Sequence, residues 1–327
     1  ATTGGEPVLT IRLRRRALLA TKRRFEAMLK SLAGPRPGSG KFGLTLDEGW
    51  EKAPKDRRLV VLIHGLHSSP ERIDDIIPDL HARKLPVGVF RYPNDQGLDE
   101  SARLLAAELA EIARAQPERP VSLVTHSMGG LVARAVVEDP GLDPGNVRQL
   151  IMAAPPSHGS RLADFAWALE LGEFVADARQ RVLLRSFQAR LEDGMGEAGD
   201  DLRPGSAFLR RLNARPRNPR VVYSLLLGTK AHLTEKELVR MRETVAAEGK
   251  KNRFVRFFGP KLDALLADLD EVVDGKGDGA VALKRGKLEG VTDVVLIPVR
   301  HGKAWDDLKD PGSAALRKAV LERLERK

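Results

Sequence analysis

The chain has 327 residues, 42% apolar and 31% charged, and its 55 Lys or Arg against 45 Asp or Glu give a formal charge of +10. It has no cysteine, which excludes disulfides, a thiol nucleophile and thiolate metal sites. Its longest apolar runs, Leu59–Ile63 and Val221–Leu227, fall far short of the roughly 18 to 20 residues that a membrane-spanning helix needs, so the composition is that of a soluble globular protein.

The charge is concentrated at one end. Residues 1–60 carry 14 Lys or Arg against 6 Asp or Glu. Between Arg12 and Lys30 eight basic residues face Glu26 alone, with Leu18, Phe25, Met28 and Leu29 among them. These apolar positions fit a helix face loosely, and the run AGPRPGSGKFG from Ala33 breaks it. Residues 1–55 therefore read as a basic extension. Its plain reading is a solvated helix on the domain surface; its sharper one is a peripheral contact between residues 9–32 and an anionic membrane. No nucleic-acid partner is expected. With Ala1 at its start the chain reads as processed or trimmed. It is expected to be soluble, exported or membrane-peripheral, the compartment staying open.

After Pro54 short β-branched runs alternate with amphipathic helices, which predicts an α/β fold: a mostly parallel, doubly wound sheet covered on both faces, over residues 56–327. The expected strands are Leu59–Ile63, Val87–Phe90, Val121–Thr125, Val147–Ala153, Val221–Leu227 and Val294–Val299. The expected helices include Asp99–Gln116, Gly130–Glu138 and Ser313–Arg326. Two helical stretches interrupt the rhythm, at about 160–211 and 231–273, and read as cap or lid insertions. In the first, Phe165 and Leu169 lie at helical spacing and are candidates for substrate binding or for plain core.

The strand Val121–Thr125 runs into His126-Ser127-Met128-Gly129-Gly130. A serine there could simply cap the next helix. It also stands where a nucleophile elbow would hold a serine oxygen above the sheet, although Thr125 replaces the first glycine of the usual Gly-x-Ser-x-Gly. An oxyanion needs N–H donors from the residue after the nucleophile and from the loop after an earlier strand. Those are Met128 and Leu66, the latter in His64-Gly65-Leu66.

The acid and the base should follow the serine in that order. Of His158, His232 and His301, the three histidines beyond Ser127, His301 follows the last strand and is the expected base. Asp278, in DGKGDGAVAL, is the expected acid over Asp274; Asp306 and Asp307 are second choices, and Asp293 starts the last strand at the wrong edge. His64 is expected to shape its loop and His126 to pack beside the elbow. No cofactor and no metal are expected, since His64 and His67 in a loop lack the helix face that usually presents zinc ligands.

In order along the chain, HGLHSSP, THSMGGLVAR, APPSHGSRLAD, GSAFLRRLN, GDGAV and RHGKAWDD resemble the motifs of α/β-hydrolase lipases and esterases, the triacylglycerol-lipase-like group that includes lipid-remodelling acyl hydrolases. The resemblance spans roughly residues 56–310. It departs where the group often has Gly-Thr-Pro-His, for this chain has Ala154-Pro155-Pro156-Ser157. It implies a serine hydrolase of lipid or small-molecule esters, with Ser127, Asp278 and His301 as triad and Leu66 and Met128 as oxyanion donors. A thioesterase, or a phospholipase or acyltransferase, would use the same triad; a non-enzymatic scaffold binding an anionic partner through the basic arm is the remaining alternative.

Overall fold

The computed structural model describes residues 42–66, 73–93, 96–161, 197–251, 263, 266–305 and 309–326. Seven strands form one sheet: β1 (Gly43–Leu46), β2 (Leu59–Ile63), β3 (Val87–Arg91), β4 (Val121–His126), β5 (Val147–Ala153), β6 (Val222–Gly228) and β7 (Val294–Ile297). Their spatial order is β1-β3-β2-β4-β5-β6-β7. All neighbours pair in parallel except β1, which runs antiparallel to β3.

The helices are α1 (Ile77–Ala82), α2 (Leu98–Ala115), α3 (Met128–Val137), α4 (Ala207–Asn213), α5 (Glu235–Lys251), α6 (Leu283–Gly286) and α7 (Pro311–Leu324). On one face of the sheet, Leu59, Val61 and Ile63 of β2 join the core formed with α2 and α3. On the other, Val60 and Leu62 join residues of α7. Every residue of β2 and β4 is buried, which is why β2 reads as a continuous apolar run rather than an alternating one. Burying each such Val, Leu or Ile contributes roughly 1.5–3 kcal/mol before entropy is counted.

The expected strands and helices are present, with shifts at their ends that have local causes. The last strand stops at Ile297 rather than Val299 because Pro298 has no N–H for the ladder. The central helix begins at Met128, two residues before the position expected from the helix-weak glycines. β1 belongs to the sheet and Trp50 is buried in the core beside it, although both fall within the stretch read as an extension. Thr234 and Glu237 close a capping box at α5: the Glu237 carboxylate accepts from the Thr234 N–H at 3.0 Å and from its hydroxyl at 2.8 Å. Among the described residues no helix is long and apolar enough to cross a membrane. The basic arm and most of the first insertion, with Phe165 and Leu169, lie outside the described residues.

Candidate active site

Ser127 sits between β4 and α3 with φ 51° and ψ −124°, a conformation L-residues adopt at a cost of about 1–3 kcal/mol. Its N–H donates to the Ala153 carbonyl at 2.8 Å, and its own carbonyl accepts from Gly130 N–H at 3.0 Å. The turn is tight because the chain is small where backbones meet. A Cβ on Gly129 would fall 2.4 Å from the His64 carbonyl oxygen, and one on Gly65 would fall 2.8 Å from Ser127 Cβ. Thr125 is fully buried where the usual motif has glycine. A Cβ on Gly130 would lie 3.2 Å from Thr125 Oγ1, so the additional glycine leaves room for the threonine.

His301 stands in a single 3-10 turn directly after β7. Its Nδ1 lies 2.8 Å from Asp278 Oδ2 and its Nε2 lies 2.9 Å from Ser127 Oγ. With the carboxylate as acceptor, Nδ1 carries the proton and Nε2 is free to accept from the serine hydroxyl. The three side chains are nearly closed to solvent, at 8% exposure for Ser127, 7% for His301 and 3% for Asp278. The other carboxylate oxygen of Asp278 accepts from the N–H groups of Ala280 and Val281 at 3.0 and 2.7 Å, and its carbonyl accepts from His301 N–H at 3.0 Å. Both the Asp278 carboxylate and the His301 backbone are thus fixed from one loop.

Gly228, at the end of β6, makes space for that loop. A Cβ there would come 2.7 Å from Asp278 Cβ and 2.7 Å from the Val299 carbonyl oxygen. Nothing in the sequence distinguishes this glycine from any other at a strand end. Asp274, the alternative acid, accepts from Ala231 N–H at 3.1 Å and holds the loop. Asp293 lies at the opposite end of β7, bonded to Ser224, Arg323 and Arg326. His158 bonds Asn213 at 3.4 Å. Burial, and next the charges of Arg300 and Lys303, push the His232 pKa down. His67, Asp306 and Asp307 lie outside the described residues.

The loop after β2 is shaped by His64. Its Nδ1–H donates to the Gly65 carbonyl at 2.9 Å, and its Nε2 accepts from Tyr92 N–H at 3.4 Å. Tyr92 stacks on the imidazole at 4.4 Å and donates its hydroxyl to the His64 carbonyl at 2.8 Å. Burial, the largest cause, pulls the His64 pKa down to about 4, so the ring is a neutral structural group at neutral pH. Tyr92 carries no motif that would have flagged it. Leu66 follows this loop, half-buried. Met128 is the first residue of α3, and an N–H in the first turn has no partner within the helix. Among the described residues no cluster of His, Asp or Glu forms a metal site.

The sequence profile of a family described as "Domain of unknown function (DUF7379)" matches residues 42–181. No curated protein matches the chain. Among solved structures, the chain is similar to the Bacillus licheniformis lipase BlEst2 in its mature form, with 20% identity over 87% of this chain and 99% of that one, at a TM-score of 0.59. The propeptide form of the same lipase matches with 19% identity over 88% of this chain, at a TM-score of 0.59. This chain covers 55% of that longer form. The strand order and these likenesses identify the fold as that of the α/β-hydrolases.

Proposed function

We propose that the chain is a serine hydrolase of carboxylic esters, with lipid acyl esters as its substrates. The observation that carries this reading is the hydrogen-bonded series Asp278–His301–Ser127 at 2.8 and 2.9 Å, ending on a serine with positive φ. His301 takes the hydroxyl proton as Ser127 Oγ attacks the acyl carbonyl, and Asp278 stabilises the imidazolium. The N–H groups of Leu66 and Met128 receive the oxyanion. His301 then protonates the departing alcohol, and the acyl group stays on Ser127 Oγ. Next, His301 deprotonates a water that attacks the acyl-enzyme, freeing the acid and regenerating the serine.

The choice of lipid esters draws support from the likeness to a protein named a lipase. In the same reading, Phe165 and Leu169 line the acyl pocket, and the basic residues 9–32 make a peripheral contact with anionic lipid. A panel of p-nitrophenyl and glyceryl esters from acetate to palmitate tests it. The reading expects kcat/KM to rise with acyl length beyond butyrate. A maximum at acetate would remove lipids from the substrate class, and no hydrolysis at any length would remove the esterase reading.

A further inference from the structure

We infer that His126 is a positioning residue for His301, an inference that rests on the hydrolase reading above. The ring of His126 packs on the His301 imidazole with centroids 4.8 Å apart and planes inclined by 37°. The indole of Trp305 stands nearly perpendicular to the His126 ring, at 6.3 Å and 85°. Both supports are buried, His126 at 7% exposure and Trp305 at 2%. Trp305 is itself anchored, since its carbonyl accepts from Arg317 at 2.7 Å and the same guanidinium donates to the Asp75 carbonyl at 2.7 Å. A run of contacts from α7 thus ends on one face of the imidazole.

This shelf restrains a motion that the hydrogen bonds do not. The bonds from His301 to Asp278 and Ser127 lie along its ring nitrogens and oppose in-plane displacement more than tilting, because a hydrogen bond weakens steeply only once it is well off line. When Ser127 Oγ becomes bonded to the acyl carbon, it carries no proton to share with His301. The imidazolium is then held by Asp278 and by the His126 ring while it waits to protonate the leaving oxygen. His126 therefore acts most strongly at that step.

The dependence on the leaving group separates this role from a general structural one. An alkoxide must be protonated as it departs, whereas p-nitrophenolate leaves with little help. For p-nitrophenyl and ethyl esters of one acyl chain, His126→Ala is expected to lower kcat/KM by roughly 100-fold on the ethyl ester, the lower end of what general acid catalysis contributes, and by roughly 10-fold on the p-nitrophenyl ester. His126→Phe, which keeps a flat ring, is expected to recover most of the ethyl-ester loss. Should His126→Ala fail to fold, His126→Gln fills a similar volume without a ring and is expected to show the same split. Equal losses on both esters in a folded variant overturn the inference. Retained hydrolysis in Ser127→Ala would remove the hydrolase reading and this inference together; its loss there, alongside equal losses in His126→Ala, removes this inference alone.

Discussion

The two ends of the sheet solve opposite problems with the same strands. At the end where β4 to β7 begin, polar groups interlock: Arg58 donates to Gln149 at 2.8 Å, Ser122 donates to Gln149 at 3.0 Å, and Gln149 donates to the Arg323 carbonyl at 2.8 Å. Asp293 gathers Ser224, Arg323 and Arg326 beside them. At the end where the strands finish, Ser127 and Ala154 hold positive φ, and backbones approach at Gly65, Gly129 and Gly228 too closely for a side chain. Polar networks fasten the first end. The second accepts strain and close approach, which is what the proposed nucleophile elbow requires.

The largest expected effects break the second end without disturbing the first. Ser127→Ala is expected to reduce ester hydrolysis roughly 10⁴-fold or more at unchanged melting temperature. Hydrolysis near the wild-type rate would contradict the elbow reading. Asp278→Asn is expected to cost about 10⁴-fold in kcat, because the amide favours the wrong His301 tautomer, while Asp274→Asn keeps near-normal turnover. The reverse pattern would move the acid to Asp274.

The next effects distinguish the two ends by stability. Unfolded His64 titrates near 6.5 and the folded ring near 4, chiefly through burial, so its contribution is complete above pH 6.5 and is lost as pH falls toward 4. About 3 kcal/mol is at stake. Burial pushes Asp293 up, yet its bonds to Arg323 and Ser224 bring it below the usual carboxylate range. That contribution persists until the pH drops beneath about 3.8. Melting curves of wild type and His64→Gln between pH 7 and 4.5 are expected to converge as the wild type loses its advantage; parallel curves would contradict the assignment. Smallest is Arg323→Met, expected to lower stability by about 2 kcal/mol through lost bonds to a charged partner while leaving kcat unchanged.

Much of the second end was legible in the sequence. A buried, mostly apolar strand, a serine and paired glycines specify a turn that few other sequences need, and a histidine just past the final strand is carried to the same edge by a parallel sheet. β1 was not legible, because a four-residue edge strand, GLTL, offers too short an alternation to read. The contacts of Tyr92 with His64 and of Trp305 with His126 join segments distant in sequence, and local patterning carries no trace of them. Gly228 shows its purpose only once the Asp278 loop has folded over it.

Labelling with an alkyl fluorophosphonate, followed by peptide mapping, tests the nucleophile most directly. The account predicts a single modified site at Ser127, formed rapidly in wild type, slowed in Asp278→Asn and absent in Ser127→Ala. Modification at another serine, or none in a folded protein, would contradict it.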